Sequence, residues 1–434
     1  MKIKTRFTDY EALSRETPEK HRLPGRSSFL LRTAFRLLSA PELRRAHFRF
    51  RQSGMEKLDR REPCLILMNH SSFLDLKIAS RVLYPRPYHI VCTSDGFVGR
   101  AAMMRGIGCI PTKKFVSEPE LLTDMEHVLH TLRSSVLMFP EASYSFDGTA
   151  TPLPESLGRC LKHLGVPVVM IRTYGAFAYD PLYNNLQRRR VEVSADVTYL
   201  LSPEEIAEKD ARELNDLLAR QFSFDNFRWQ QENGVRVNEP FRADHLNRVL
   251  YKCPRCLSEG KTVGEGITLR CTACGAVYTL TEDGRMQAED GRTEFPHIPD
   301  WYAWERACVR EEIEKDRYHL DIPVRIGVML NTRAIYMVGE GRLTHDKTGF
   351  TLTGCHGRLS YRQKPLSSYS LYADYHWYEI GDMICLGNRR ILYYCFPLAG
   401  GDVVAKTRLA AEELYKLCRA AVRLPAPAAP LAHL

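Results

Sequence analysis

The sequence predicts an α/β protein that contains a mostly parallel sheet with flanking helices, followed by two smaller modules. Strand and helix patterns alternate over residues 60–200, which is the order that an α/β layer fold requires. Two Cys-x2-Cys pairs follow, and short strand patterns closed by one helix fill the chain after residue 320. With 434 residues the chain is long enough for two or three domains, each with its own core.

Composition places the chain among ordinary globular proteins. Apolar residues make up 44% and charged residues 26% of the sequence, and no apolar run approaches the roughly 18–20 residues that span a bilayer. No apolar segment follows the first six residues, so we expect no secretory signal. Four of the thirteen cysteines form a metal pattern, which favours the reducing cytoplasm over a disulfide framework.

The net charge of +9 is concentrated at the start of the chain. Residues 1–62 contain sixteen Lys and Arg against eight Asp and Glu. Such a basic excess suits anionic lipid and nucleic acid equally. The N-terminal arm, residues 1–48, is predicted to be loose over residues 1–25 and to form an amphipathic helix over residues 28–38 that ends at Pro41.

This helix has two interpretations. Arg32 and Arg36 lie one turn apart on one side, while Leu31, Phe35 and Leu38 line another. Basic helices with apolar residues opposite the charges often lie in the membrane interface. The alternative is a helix that packs against its own domain.

The predicted α/β domain spans residues 49–240. After an edge strand at 43–51, we predict strands at 64–68, 88–92, 136–139 and 166–171, a strand or a tight turn at 106–110, and an outer strand at 191–200. Helices are predicted at 99–105, 118–133 and 156–164. His70, Glu141 and Arg172 each follow a strand directly. Because active sites in parallel sheets gather at the carboxyl ends of strands, these three residues are expected to share one cleft.

His70 is a candidate catalytic residue. Asp75 lies five positions later, where a turn that opens a helix could bring its carboxylate to the imidazole. A carboxylate bound to one ring nitrogen fixes the tautomer and leaves the other nitrogen free as a general base. Taken alone, a histidine at a strand end is more often a hydrogen-bonded structural residue.

Four sequence blocks occur in order downstream of residue 68. They are Asn-His-Ser-Ser-Phe-Leu-Asp at 69–75, Gly-Cys-Ile-Pro-Thr-Lys-Lys-Phe at 108–115, Phe-Pro-Glu-Ala-Ser at 139–143 and Val-Pro-Val-Val at 166–169. In motif, order and spacing, residues 50–200 resemble the glycerolipid acyltransferase family, specifically the 1-acylglycerol-3-phosphate acyltransferases. The resemblance implies direct acyl transfer from acyl-CoA or acyl-carrier protein to the free hydroxyl of a lysophospholipid. It implies neither a Ser or Cys nucleophile nor a catalytic cofactor.

The resemblance also assigns roles to residues of this chain. His70 would be the general base, and Asp75 would orient it and stabilise the imidazolium. The substrate-binding candidates are Asn69, Ser72, Arg105, Lys113, Lys114, Glu141 and Arg172. The cations would hold an acidic headgroup, and Glu141 would bind the glycerol part or organise the cations, unless it caps a helix N-terminus. Backbone amides near His70 are the expected oxyanion donors, and 1-acylglycerol 3-phosphate is the favoured acceptor.

Four positions depart from the family's pattern. Lys114 stands where an Arg is usual, Ala142 replaces a Gly, Tyr144 replaces an Arg, and Met170 replaces a Pro. A lysine still offers a point charge to phosphate but lacks the bidentate fork of arginine. These changes bear on the acceptor more than on the chemistry, because the His-x4-Asp motif is intact.

The four-cysteine module, at residues 248–284, is predicted to be a zinc ribbon. Two Cys-x2-Cys pairs are separated by fourteen residues, and their members are Cys253, Cys256, Cys271 and Cys274. This spacing is typical of a closed structural zinc site, and an iron–sulfur site is the alternative for the same ligands. Mixed charges and the lack of aromatic–basic interleaving disfavour nucleic acid and favour a scaffolding or partner-docking role.

A β-rich domain with a terminal helix is predicted at residues 300–424. Helices at 301–315 and 402–422 flank strand patterns at 325–330, 334–338, 349–352, 369–372, 383–386 and 391–396, with turns at 339–341 and 387–388. The pattern resembles a pleckstrin-homology-type barrel, which could bind a lipid headgroup or a protein, or only cap the ribbon. Residues 425–434 are predicted to be a disordered tail.

Taken together, the sequence predicts a cytoplasmic O-acyltransferase that lies on the cytoplasmic face of an anionic membrane. Two alternatives remain open. One is a catalytically retired acyltransferase scaffold that binds lipid or a partner, and the other is a zinc-ribbon protein associated with nucleic acid. Steeply salt-dependent nucleic-acid affinity would mark the latter, whereas binding to liposomes would support the membrane interpretations.

Overall fold

The computed structural model describes residues 2–13, 15–398 and 402–423. Its strands are β1 (Thr5–Phe7), β2 (Arg49–Ser53), β3 (Leu65–Met68), β4 (Tyr88–Thr93), β5 (Cys109–Thr112), β6 (Ser135–Met138), β7 (Val168–Tyr174), β8 (Ser194–Leu201), β9 (Thr262–Glu265), β10 (Thr268–Cys271), β11 (Val277–Leu280), β12 (Met286–Ala288), β13 (Leu320–Met329), β14 (Ile335–Asp346), β15 (Gly349–Gly354), β16 (Leu359–Gln363), β17 (Tyr372–Trp377), β18 (Gly381–Gly387) and β19 (Leu392–Pro397). Its α-helices are α1 (Tyr10–Leu13), α2 (Phe29–Arg45), α3 (Asp75–Leu83), α4 (Ala101–Ile107), α5 (Pro119–Glu126), α6 (Leu157–Leu164), α7 (Ala176–Tyr179), α8 (Pro203–Glu208), α9 (Ala211–Phe222), α10 (Asn226–Glu232), α11 (Ile298–Glu314) and α12 (Val403–Arg423). The tail predicted at 425–434 lies outside the described residues.

The α/β domain is built on a seven-stranded sheet in the order β2-β8-β7-β3-β6-β4-β5. Its neighbouring strands pair in parallel except for β7 and β8, which are antiparallel. The predicted mostly parallel sheet is therefore present. The prediction that the strand near residue 195 is the outer one is wrong, because β2 adds to β8 in parallel and forms the edge.

Apolar residues on both faces of the central strands explain this arrangement. The side chains of β3, from Leu65 to Met68, are fully buried, which is the pattern of a strand covered by helices on both sides. Ile66 packs with α3 on one face, and Leu67 packs with α6 and α9 on the other. Full burial of each such side chain contributes about 1.5–3 kcal/mol. The carboxyl end of β3 is thereby fixed where the first sequence block begins.

Helix α2 continues past its predicted end at Pro41. The side chain of Ser28 caps its N-terminus by accepting the N–H of Leu31 at 3.4 Å. Pro41 is exposed, and the helix runs on to Arg45. A proline removes one main-chain hydrogen bond, and the intact turns on either side carry the helix through it.

Helix α2 packs against its own domain, and it does so through its basic side and not through its exposed leucines. Arg32 is buried and donates to the carbonyl of Arg86 at 2.7 Å, so the basic side of the helix faces the protein. Leu30, Leu37 and Leu38 are exposed on the opposite side, at 78%, 64% and 79%. The apolar stem of Arg32 can pack against the domain, and the leucines on the other side of α2 then remain exposed.

The ribbon is a four-stranded antiparallel sheet in the order β12-β11-β10-β9. Helix α11 anchors it. Buried Glu305 accepts the N–H of Lys252 at 2.8 Å, and the indole of Trp301 donates to the carbonyl of Lys252 at 3.0 Å. Both bonds hold the residue directly before Cys253, so α11 fixes the first pair of cysteines.

The C-terminal sheet follows the order β16-β15-β14-β13-β19-β18-β17, with antiparallel neighbours throughout, and α12 packs against it. Strand β16 is absent from the sequence prediction. The turn predicted at 339–341 does not form, because β14 continues through it. Gly341 instead allows β14 and β15 to lie close together, since a Cβ there would be 2.2 Å from the carbonyl oxygen of Thr353.

The arm and the C-terminal sheet both contact the α/β domain. Strand β1 pairs in parallel with β14, so the arm is not loose over Thr5–Phe7 as predicted. One apolar cluster joins Val98 and Phe115 of the α/β domain to Tyr372 and Trp377 of β17. The C-terminal domain therefore covers the loop that follows β5. Among the described residues, no helix is long and apolar enough to cross a membrane.

Candidate active site

The first sequence block places His70 and Asp75 at the carboxyl end of β3. His70 Nδ1 lies 3.0 Å from Asp75 Oδ2, and the same oxygen accepts the N–H groups of Ser71 at 2.9 Å and Ser72 at 3.1 Å. An oxygen that already accepts two N–H groups acts as an acceptor toward the ring as well. The proton of the neutral imidazole is therefore assigned to Nδ1, which leaves Nε2 free to act as a base.

Burial sets the protonation of this pair. Loss of solvation lowers the pKa of His70 well below its usual 6.5, and the charge of Lys114 lowers it further. Burial raises the pKa of Asp75 to about 8, while the N–H groups of Ser72 and Ser71 oppose the rise. The imidazole is therefore neutral at pH 7, as a general base must be.

Aromatic rings enclose the imidazole. The ring of Tyr144 stacks on His70 with centroids 3.9 Å apart, and the ring of Phe139 approaches to 4.4 Å. Phe73 stacks on Tyr144 at 5.1 Å and is half exposed. These contacts leave 12% of the His70 side chain exposed, so most water is excluded from the imidazole.

Glu141 holds the main chain of the site. Its Oε2 accepts the N–H of His70 at 2.8 Å, and its Oε1 accepts the N–H of Thr151 at 2.8 Å. Burial raises the pKa of Glu141 to about 7, while both N–H groups favour its charged form. Both carboxylate oxygens of Glu141 thus accept main-chain N–H groups. The sequence predicted instead that Glu141 contacts the substrate, organises the cations or caps a helix.

The other polar residues of the first block are also engaged. Asn69 Oδ1 accepts the N–H of Thr173 on β7 at 2.8 Å, and the hydroxyl of Ser72 donates to buried Asp180. These bonds fix the chain on either side of the base. The amides of residues 70–72 are all bonded to carboxylates, so in this structure they are not free to be the predicted oxyanion donors.

Of the four cations predicted to hold a headgroup, Lys114 is the one whose charge acts on the base. It is partly buried, and its Nζ lies 5.8 Å from the centre of the Tyr144 ring. That ring in turn covers His70. Phe139 and Glu141 of the third sequence block also contact His70, so parts of the first three blocks lie close together.

The other three cations are engaged elsewhere. Lys113 forms an ion pair with Glu118 at 2.9 Å, and Arg105 forms one with Glu19 of the N-terminal arm at 3.4 Å. Arg172 lies within β7 and interacts with a tyrosine two residues along the same strand. The structure does not bring these three side chains to His70 through any described hydrogen bond or ion pair.

The C-terminal domain contributes residues near the base that the sequence did not predict. Tyr372 of β17 lies under Lys114, with Nζ 4.4 Å from the ring centre. Burial lowers the pKa of Lys114, and the charge of Asp374 opposes that fall. Arg408 of α12 donates to the carbonyl of Tyr144 at 3.2 Å. No local pattern marks these residues, because they reach the site only through the packing of one domain on another.

The four cysteines form a second site, in the ribbon. Their sulfurs lie within 4.8 Å of one another. The Sγ–Sγ distance is 3.8 Å between Cys253 and Cys274 and 3.7 Å between Cys256 and Cys271. A tetrahedral four-thiolate site with metal–sulfur bonds of about 2.3 Å has edges of about 3.8 Å. The arrangement therefore fits one metal ion with a closed ligand set, whereas a cluster of several irons would hold the thiolates farther apart.

Comparison with known proteins identifies the α/β domain. A family model described as acyltransferase matches residues 49–173. Seven chains of solved structures match, among them the crystal structure of the 1-acyl-sn-glycerophosphate (LPA) acyltransferase PlsC from Thermotoga maritima, with a TM-score of 0.36 and 12% identity over 44% of this chain and 78% of that chain. No curated protein matches the sequence. The family model and the four sequence blocks identify residues 49–173 as an acyltransferase-family domain.

Proposed function

We propose that this protein moves a fatty acyl group from acyl-CoA or acyl-carrier protein to the free hydroxyl of a lysophospholipid. The acceptor favoured by the sequence blocks is 1-acylglycerol 3-phosphate, and the product is then phosphatidic acid. The observation that carries the proposal is the buried His70–Asp75 pair beside Lys114, within a domain of the acyltransferase family. The pair supplies a base for the hydroxyl proton, and the lysine supplies a cation for the phosphate.

In this mechanism His70 Nε2 takes the proton of the acceptor hydroxyl as its oxygen attacks the thioester carbonyl. The tetrahedral adduct then expels the thiolate of the donor, which receives that proton from His70. Asp75 stabilises the imidazolium between the two steps, and a positioned base of this kind contributes about 10²–10⁴-fold in rate. Lys114 holds the acceptor so that its hydroxyl stays near the base.

A catalytically retired scaffold is the alternative. The hydrogen-bonded pair disfavours it, because Asp75 still holds His70 in the tautomer that catalysis needs. Direct transfer also requires no nucleophilic side chain, so the mechanism does not depend on the hydroxyls of Ser71 and Ser72, and that of Ser72 donates to Asp180.

The protein is proposed to act on the cytoplasmic face of an anionic membrane. The exposed leucines of α2 form one apolar face, and Arg44 and Arg45 are exposed in its last turn. A face of this kind inserts its leucines at the level of the acyl chains, while the arginines attract anionic headgroups. The acceptor, itself a lipid, would be taken from that surface.

Liposome pelleting tests this surface. A variant with Leu37→Glu and Leu38→Glu is expected to bind anionic liposomes at least tenfold more weakly, because each buried leucine contributes about 1.5–3 kcal/mol. Leu366→Glu, at an exposed leucine of the C-terminal domain, is the matched control and is expected to bind as the wild type does. Equal binding by all three proteins would contradict membrane docking through α2.

The remaining modules are proposed to support the catalytic domain, residues 49–240. The four cysteines would hold one structural zinc ion, since the closed ligand set leaves no position for a substrate. The domain at 300–424 is proposed to be of the pleckstrin-homology type. Seven antiparallel strands followed by a C-terminal helix support that proposal.

Acyl transfer itself is tested with the zinc-loaded protein on liposomes. Acyl-CoA and acyl-carrier protein serve as donors, and 1-acylglycerol 3-phosphate and lysophospholipids with choline, ethanolamine or glycerol headgroups serve as acceptors. We expect phosphatidic acid to be the main product, identified by mass spectrometry. Turnover of another acceptor alone would keep the mechanism and replace the acceptor. No turnover with any pair, from folded protein, would contradict the proposal.

A further inference from the structure

The Lys114 ammonium lies in the active site without a direct polar partner. Its Nζ sits 4.4 Å from the centre of the Tyr372 ring and 5.8 Å from that of Tyr144, and within the described part of the chain no hydrogen bond or ion pair reaches it. A cation held over ring faces keeps its three N–H donors available. The group is therefore ready to receive an anion from outside the protein.

The charges of two carboxylates, those of Asp374 and Asp95, oppose the fall in the pKa of Lys114. Asp95, in the α/β domain, accepts the hydroxyl of Tyr372 at 2.7 Å. Asp374, in the C-terminal domain, makes one described hydrogen bond, from the N–H of Tyr375 at 3.0 Å. Asp374 therefore keeps most of its capacity to accept further bonds.

The register of β17 places Asp374 next to the headgroup position. Tyr372 and Asp374 are two residues apart on a regular stretch of this strand, where they pair with Cys385 and Met383 of β18. Side chains two residues apart point to the same face of a strand. Because Tyr372 contacts Lys114 from that face, Asp374 lies on the side of the sheet that covers the active site.

We propose that Asp374 is a specificity-determining residue of the acyl-transfer site, which limits how much negative charge the acceptor headgroup can bring to Lys114. The inference rests on the proposed function and adds the C-terminal domain to the acceptor site. A phosphomonoester carries about 1.5–2 negative charges at neutral pH, and a phosphodiester carries one. Burial raises the pKa of Asp374 to about 7, while the charge of Lys114 opposes the rise, so the carboxylate is mostly ionised at about pH 8. The ionised group repels a phosphomonoester more strongly than a phosphodiester, and it therefore reduces the preference for a phosphomonoester that Lys114 alone would give.

The kinetic test compares wild type and Asp374→Asn on two acceptors with the same acyl chain, 1-acylglycerol 3-phosphate and its ethanolamine phosphodiester. We expect the ratio of kcat/KM for the phosphomonoester over the phosphodiester to rise about tenfold in the variant, mainly through a lower KM for the phosphomonoester. Glu340→Gln removes an exposed carboxylate of the same domain and is expected to leave the ratio unchanged. An unchanged ratio in Asp374→Asn, or equal changes on both acceptors, would overturn the proposal.

A binding measurement separates failure of this inference from failure of the proposed function. Glycerol 3-phosphate carries the headgroup without an acyl chain, so its affinity can be measured by calorimetry without turnover. Asp374→Asn is expected to bind it about tenfold more tightly than the wild type, and adding Lys114→Met is expected to remove the gain. This result from a protein without acyl transfer would refute the proposed function, and with it the role of Asp374 in acyl-transfer specificity, but it would still show that Asp374 weakens the binding of a phosphate at Lys114. Unchanged affinity in Asp374→Asn would refute the inference, whatever the activity.

Discussion

Replacing Asp75 by Asn is expected to separate catalysis from stability. In the native site Asp75 Oδ2 contacts His70 Nδ1 and accepts the amides of Ser71 and Ser72. An Asn oxygen can keep the two amide bonds, but an amide cannot ionise, so the imidazolium formed during transfer then has no counter-charge available. We expect kcat to fall about 10²–10⁴-fold with little change in KM.

The same substitution is expected to stabilise the fold. Burial raises the pKa of Asp75 from 3.8 to about 8, so folding at pH 7 must either protonate this carboxyl group or bury its charge. One pKa unit corresponds to about 1.4 kcal/mol, which sets a ceiling of about 4 kcal/mol on the cost at pH 7. Weakened hydrogen bonds offset about 1 kcal/mol of the gain. Asp75→Asn should therefore raise the free energy of unfolding by about 1–3 kcal/mol.

The pH dependence of that gain provides the check. Between about pH 4 and 8 the folded wild type keeps a proton on Asp75 that the unfolded chain releases, so its stability falls as pH rises. The advantage of Asp75→Asn should be near zero at about pH 4 and largest near pH 8. Urea unfolding across this range measures it, with acyl transfer assayed on the same samples. A variant that is less stable than the wild type at about pH 8, or that keeps more than about a tenth of its rate, would refute the reasoning.

Lys114→Met should raise KM for a phosphate-bearing acceptor about 10–100-fold. Because the charge of Lys114 lowers the pKa of His70, the variant should also move the acid limb of the pH–rate profile to higher pH. Arg408→Met should lower the free energy of unfolding by about 2–4 kcal/mol in urea titrations. The substitution removes buried hydrogen bonds to the carbonyl of Tyr144 and to Glu412, which keeps its ion pair with Arg306. Ala142→Gly should leave urea stability unchanged or raise it by up to about 1 kcal/mol, because Ala142 has a φ of 55°. A zinc chelator should lower the melting temperature measured by calorimetry, and added zinc should restore it. An unchanged pH profile in Lys114→Met, or a loss of stability below about 1 kcal/mol in Arg408→Met, would contradict the first two expectations. Clear destabilisation by Ala142→Gly, or a melting temperature that the chelator leaves unchanged, would contradict the other two.

The contact between His70 and Asp75 could be predicted because its determinants are local. His70 follows a run of apolar residues that must form a buried strand, and Asp75 opens the next helix, so one turn brings them together. The four-cysteine site is local in the same sense, since each pair lies on one tight turn. The sheet is predictable for a related reason, because alternating strand and helix patterns leave few ways to cover both faces.

Contacts between distant segments could not be predicted from these patterns. Lys113 and Arg105 are spaced correctly for a headgroup site, yet each finds a carboxylate, Glu118 or Glu19, that the motif does not include. Arg172 was expected directly after a strand, but β7 continues two residues beyond it. Its side chain therefore projects from a face of the sheet and not from the carboxyl end of the strand.

The same limit applies to the domain arrangement. The arm was expected to be loose because its residues are polar, but main-chain pairing of β1 with β14 needs no apolar pattern. Tyr372 and Asp374 look like ordinary strand residues until β17 is seen to cover Lys114. Local sequence patterns state which face of an element is buried and not which domain buries it.

The role of His70 as the base is tested most directly by acyl transfer from an acyl thioester to a lysophospholipid, measured for His70→Ala beside His319→Ala. His319 is an exposed histidine of the C-terminal domain, so its variant controls for the loss of an imidazole. We expect His70→Ala to lose at least about 10²-fold in kcat while remaining folded, and His319→Ala to retain wild-type activity. A folded His70→Ala protein that transfers acyl groups at the wild-type rate would contradict the mechanism.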